Sequence, residues 1–284
     1  MASFLLVLYL CPIYAYSAPP DFDSKNIMSP AAAPTYNFQR LRSALPSSLK
    51  DMLCRARELG SSETGSQNAD LPTTLGGIDD LLSGGLVRGR LIELVGRRSS
   101  GRFSAVLSTL ASLTARGENA VLVDLGDGLD PRAAETAGAV LPRILWLRPL
   151  HLKTALIGAE VALQCGFPLV ALELGLPPVS GGRGCETSWL RLARAALTQR
   201  SIALISSPYR VSGTAASEVL EFSTARPLWR GDECATRLLS GFTGRSTLKK
   251  TRHQTLIEKS GSFRLLTTET LENRPRSLPN TPGM

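Results

Sequence analysis

Histidine is nearly missing from this 284-residue chain: only His151 and His253 occur, far apart in sequence. A histidine-based metal centre or a histidine-activated nucleophile therefore has little to build on, and each histidine reads as structural or as a surface residue. The five cysteines (Cys11, Cys54, Cys165, Cys185, Cys234) are odd in number and contain no Cys-x-x-Cys pair. That argues against a zinc site and a disulfide framework and fits a reducing compartment. Cys165 and Cys234 sit among apolar residues and read as core cysteines. Aromatics make up only 6% of the chain, and Trp146, Trp189 and Trp229 read as packing residues rather than stacking platforms. Acidic residues are in deficit, 24 against 32 Lys and Arg, for a net charge of +8. Such a surface suits a polyanion such as nucleic acid, and equally suits ordinary solubility.

With 43% hydrophobic and 20% charged residues the chain can bury one sizeable core, so one main domain with appendages is expected. Ala2 to Ala18 is almost wholly apolar and ends in Ala15-Tyr16-Ser17, a small-x-small cleavage pattern, but no Lys or Arg precedes it and a second methionine follows at Met28. Residues 1–27 are read as an unstructured leader or an over-extended start, with an export signal as the alternative; the run is short for a membrane span. Residues 28–46 form a tether rich in Pro, Ala and Ser. Residues 47–60 form a helix, capped by Ser48, striped by Leu49, Met52, Leu53 and Ala56, ended by Gly60, and available for self-association. Residues 61–70 are a polar linker, 71–268 the main domain, and 269–284, with three prolines, a disordered tail.

From Leu71 onward apolar runs of strand length alternate with helical patterns, the signature of an α/β domain with a mostly parallel sheet. Strands are expected at Leu91–Val95, Ala120–Asp124, Ile144–Leu147, Leu169–Leu174 and Ile202–Ser206. Helices are expected from Phe103 towards Gly117, over 150–165 and over 187–199. Between the first strand and first helix lies Gly96-Arg97-Arg98-Ser99-Ser100-Gly101-Arg102-Phe103-Ser104, which has the glycine spacing of a phosphate-binding loop at a helix N-terminus. In the working motif a Lys follows the second glycine and reaches the phosphates, and a Ser or Thr hydroxyl then ligates Mg²⁺. Here Arg102 and Phe103 stand in those places.

Leu71 to Leu86, Arg88-Gly89-Arg90, Ile92-Glu93-Leu94, the glycine loop, Val121 to Asp124 and Gly128-Leu129-Asp130-Pro131 together resemble the core of the RecA recombinase family. Leu145 to Pro149, Glu218 to Ala225 and the Leu248 to His253 run resemble its third strand, closing strands and basic turn. The likeness covers roughly residues 70–268, and the family's separate C-terminal domain is missing from it. The resemblance implies a RecA-like fold with antiparallel strands at its C-terminal edge, and ATP at Gly96 to Ser104. It implies a cytoplasmic, nucleoid-associated place in DNA repair and recombination, with no membrane partner.

Carried over by position, the phosphate lysine becomes Arg102, a planar fork in place of a compact ammonium. The Mg²⁺ hydroxyl becomes Phe103, with Ser104 displaced by about 100° around the helix. The strand-end carboxylate assisting Mg²⁺ becomes Glu173, and the water-activating glutamate falls at Gly126, with Asp127 beside it. Glu173 and Asp127 are the catalytic candidates if the site works at all, and Ser104 and Glu173 the metal candidates. Losing a water-orienting base costs about 10² to 10⁴ in rate, so near-silent hydrolysis is expected. The family's two DNA-binding loops are implied at 177–186, with Arg183, and at 208–215, with Tyr209 and Arg210. From Ala225 to the end, eleven Lys or Arg face five Asp or Glu, including Lys249, Lys250 and Arg252. This pattern is similar to the ImuA proteins, RecA-like accessories of damage-induced (SOS) translesion polymerases. It implies single-stranded DNA or repair proteins as partners, with a divergent DNA-dependent ATPase as the alternative.

Overall fold

The computed structural model of the chain describes residues 6–10, 70–175, 185–231, 237–251 and 259–266. The expected helix at 47–60, the tether, most of the linker, the tail, and the site candidates Arg183 and Arg252 lie outside them.

The described residues contain ten strands, which form one sheet. They are β1 (Leu6–Leu10), β2 (Leu91–Gly96), β3 (Ala120–Asp124), β4 (Ile144–Pro149), β5 (Leu169–Glu173), β6 (Ile202–Ser207), β7 (Glu218–Phe222), β8 (Arg226–Arg230), β9 (Leu238–Lys250) and β10 (Lys259–Leu266). The order is β1-β4-β3-β5-β6-β2-β7-β9-β10, with β8 beside β9; neighbours from β1 to β7 run parallel, and pairings involving β8, β9 and β10 are antiparallel. The expected mostly parallel sheet with antiparallel strands at its C-terminal edge is what the chain forms. Five helices pack on it: α1 (Gly76–Leu81), α2 (Arg102–Ala115), α3 (Pro131–Thr136), α4 (Leu152–Gln164) and α5 (Glu186–Gln199).

The central strands are buried on both faces, which is why they read as unbroken apolar runs rather than as alternation. Successive residues serve opposite sides: Ile92, Leu94, Leu122, Ala171 and Leu204 join one core with α1, α2 and α3, while Leu91, Val95, Val123, Leu172 and Ile205 join a second with α4 and α5. Parallel strands need long crossovers, and the helices supply them. The sheet thereby sets the C-terminal ends of β2, β3, β5 and β6 side by side, where a ligand of such a fold binds.

The elements not foreseen have local causes. α1 starts at a glycine pair, yet Ile78 and Leu81 bury against the first core while Asp79 accepts from the amide and hydroxyl of Thr73, both at 2.7 Å. In α3, Asp130 caps the helix by accepting from the Arg132 amide at 2.9 Å, with Pro131 leading. β1 lies within the span read as a leader; an apolar five-residue run suits a strand equally well, and here it pairs in parallel with β4. Cys165 is only partly buried, against the second core, and Cys234 lies outside the described residues. Trp146 and Trp189 are buried as expected; Trp229, on an outer strand, is 54% exposed, so the packing role expected for it does not hold.

Candidate functional site

β2 ends at Gly96, and the chain turns through Arg97, Arg98, Ser99 and Ser100 into α2. Gly101 makes the turn possible: it caps α2 at φ +87, a left-handed conformation in which a side chain is strained, and its missing Cβ leaves room for the Phe263 ring. Arg97, Arg98 and Ser99 are exposed, while Ser100 is buried. Phe103 packs against the first core with Leu265, and Ser104 is partly exposed on the next position of α2. The expected strand, glycine turn and helix thus follow one another here, with the phenylalanine used for packing.

Arg102 turns inward. Its Nη2 donates to Glu173 Oε1 at 2.7 Å and to the Gly175 carbonyl at 3.1 Å, while the Gly175 amide donates to the same carboxylate oxygen at 3.0 Å. Both side chains are almost fully buried, at 7% and 5% exposure. Burial pushes the Arg102 guanidinium below its ordinary range and Glu173 above its own, and each partner's charge opposes the shift. The groups standing at the phosphate-lysine and metal-carboxylate positions therefore neutralise each other. A dication does not fit here, because the carboxylate already holds a guanidinium and no hydroxyl stands at position 103. An anion fits better: Arg102 Nη1 and Ser100 Oγ are buried donors without a hydrogen-bond partner among the described residues, while the Glu173 carboxylate also has the Ser206 hydroxyl beside it.

The third catalytic position is closed by the backbone. A Cβ on Gly126 would meet Gly175 Cα at 2.5 Å, so the β3–α3 turn and the end of β5 touch where the family's glutamate would project. Asp127, at φ +50, points instead to Arg148, which grips it with Nε at 2.7 Å and Nη2 at 2.5 Å. The same guanidinium lies 4.9 Å from the ring centre of Trp146, within cation–π range. Asp124 is buried at the end of β3 and accepts from the amides of Gly128 and Leu129 and from Trp146 Nε1; burial raises its carboxyl above the ordinary range. These bonds fold the Asp124 carboxylate into the β3–α3 turn.

The second loop is stitched shut by a residue whose part the sequence reading missed. Glu93, fully buried in β2, accepts from the Val211 amide at 2.7 Å, from the Ser212 hydroxyl, and from Ser207 Oγ at 3.3 Å. A carboxylate within an otherwise apolar buried strand was the available signal, since such a group must find donors. Tyr209 and Arg210 are exposed on this loop. Lys250 joins them, with Nζ 3.4 Å and 3.3 Å from the carbonyls of Gly213 and Thr214. Lys249 points elsewhere, towards Glu221 at 3.9 Å. Among the described residues, no three His, Cys, Asp or Glu side chains converge as a metal site, and no helix is long and apolar enough to cross a membrane.

Residues 56–167 match the RecA N-terminal domain. The chain is 35% identical to Protein RecA of Mycoplasma genitalium over 94 residues, 33% of this chain and 25% of that protein. It is 34% identical to Protein RecA of Cutibacterium acnes over 117 residues, 41% and 32% respectively. The chain thus spans about a quarter to a third of the length of these curated relatives. Among solved structures it is similar to the RadB recombinase, with a TM-score of 0.53 at 18% identity, covering 70% of this chain and 97% of that one. Strand order and these likenesses agree on a divergent RecA-like core, with residues 56–167 similar to the RecA N-terminal domain.

Proposed function

We propose that the protein serves DNA repair or recombination as a RecA-like accessory factor that binds nucleotide weakly or not at all and acts by binding single-stranded DNA or another repair protein, such as a translesion polymerase. The observation that carries this reading is the buried Arg102–Glu173 pair at 2.7 Å, which engages the two charged groups a nucleotide and its metal would need. Phosphoryl transfer depends on positioned charge, and here the charge is spent internally. Gly126, shut against Gly175, leaves no place for a water-activating carboxylate. Tyr209, Arg210 and Lys250 on and around the second loop are the DNA contacts this reading favours, a ring to stack on and two cations for phosphates.

A second reading, a divergent DNA-dependent ATPase, draws on one observation: the glycine turn before α2 holds two buried donors, Ser100 Oγ and Arg102 Nη1, without a hydrogen-bond partner among the described residues. Steady-state ATP hydrolysis by the full chain, with and without single-stranded DNA, beside a lysine-containing RecA, separates the two. Turnover at background supports the accessory role. DNA-stimulated turnover within about tenfold of the control overturns it, because the missing base and ligand should together cost far more.

A further inference from the structure

β8 is an outer strand of the sheet in which four of five residues are exposed. It pairs only with β9, on the same side of β9 that β7 occupies deeper in the sheet. Next to β7 lies β2, whose row ends at the phosphate loop, where the Ser99 carbonyl accepts from the Ala225 amide at 3.3 Å. Beyond that bond the outer edge of β8 meets no strand among the described residues. An open edge presents backbone donors and acceptors ready to pair with an incoming chain.

The two sides of this edge differ in chemistry. Pro227 lies opposite Phe242, and Trp229 opposite Leu239; a bulge in the pairing brings both onto the side of the sheet that carries Phe263 and Leu265. That side continues the first core outward into the open: Trp229 is 54% exposed, and Leu239 and Phe242 are each 38% exposed. On the other side of β8 stand Arg226 and Arg230, with the half-buried Leu228 between them and the exposed Leu238 opposite Arg230. Neither arginine has an acidic partner among the described residues. A strand of period two laid along β8 would meet apolar surface with one set of side chains and arginine with the other.

From this complementarity we infer that the outer edge of β8 receives an extended segment of a partner protein in which acidic and apolar residues alternate, added as a further strand of the sheet. The inference rests on the accessory role proposed above and gives that role its partner class. A protein strand suits the edge better than nucleic acid does. Its backbone can pair with β8, and half of the apolar surface is proline and leucine, which offer bases no ring to stack on. Trp and Arg are also the residues on which protein interfaces most depend.

The test uses the full chain and two synthetic peptides, one alternating glutamate and valine and its isomer with the same residues in two blocks. Trp229 reports binding, because Trp146 and Trp189 are buried. The alternating peptide should shift the emission and bind at least about tenfold more tightly than its isomer, since only one register satisfies both sides. Trp229→Ala, followed by peptide anisotropy, should weaken it about thirtyfold, and Arg226→Glu with Arg230→Glu about tenfold, most strongly at low salt. All three substitutions are at exposed positions, and circular dichroism checks the fold. Equal binding of the two peptides, or indifference to these variants, overturns the inference. So does an oligothymidylate that shifts Trp229 emission while the alternating peptide does not, which would make the surface a nucleic-acid platform. ATP turnover of the same preparation is measured alongside. Background turnover with no peptide binding removes only the β8 site, whereas DNA-stimulated turnover removes the accessory role itself.

Discussion

The strand ends that carry the phosphate loop and the ribbon of β8 and β9 lie next to each other, yet they treat their charged residues in opposite ways. At the strand ends Arg102 is held by Glu173, Asp127 by Arg148, and Gly126 is shut against Gly175. On the ribbon Arg226 and Arg230 stand exposed without an acidic partner among the described residues, and apolar rings face outward. A low-dielectric site disfavours an unpaired charge, and the Arg102–Glu173 pairing satisfies both groups from within the protein. A surface in use has the reverse economy, because its charges are answered by a partner and need no internal mate.

The largest expected effect breaks the closed side. Arg102→Leu or Glu173→Leu alone leaves an uncompensated buried charge and should cost about 3–5 kcal/mol of stability, while the double substitution should lie near wild type. Urea unfolding of all four proteins closes the cycle; single variants as stable as wild type would mean the pair is not buried as described. Glu93→Ala strands the Val211 amide and the Ser212 hydroxyl and should cost about 2–3 kcal/mol, with proteolysis at 208–213 appearing first. Gly126→Glu, which returns a carboxylate to the catalytic register, should destabilise by about 1–3 kcal/mol through its contact with Gly175 and leave hydrolysis at background. A gain in ATPase activity from that variant would show the site to be open.

Two smaller effects sharpen the contrast. Asp124 has an ordinary value of 3.8 that burial raises. A raised carboxyl favours the folded state while it is protonated, and that contribution is lost as pH climbs from about 4 through the raised value. Wild type should therefore lose stability relative to Asp124→Asn over that interval, and parallel pH profiles would contradict the burial. Asp127→Asn removes a pair whose acid is 57% exposed. It should cost less than about 1 kcal/mol and less still in high salt.

Much of the fold was legible because doubly buried parallel strands leave continuous apolar runs. β2 to β6 fall within two residues of expectation, as do α4 and α5, each with an apolar face at helical spacing. β8 and β10 were not legible: they are edge strands of mixed polarity, and Pro227 in β8 reads as a breaker although an edge tolerates it. α1 was hidden by its glycine pair, since burial of Ile78 and Leu81 outweighs a weak propensity. For the site, Arg102 could be read from the glycine-loop spacing, and Glu173 and Gly126 from the resemblance to RecA, but not their relation. Arg102 and Glu173 are 71 residues apart, and their meeting depends on how β5 is placed across the sheet from the phosphate loop. Glu93 was visible as a charge out of place, and its partners lie 114 to 119 residues away.

The central claim is that Arg102 and Glu173 occupy, with each other, the place a nucleotide and its metal would take. Calorimetric titration of the full chain with ATP in the presence of Mg²⁺ tests it most directly. We expect heats of dilution only, or weak binding that magnesium does not strengthen. Tight, magnesium-dependent saturation would contradict the claim, because it would require Glu173 to leave Arg102 and accept a metal.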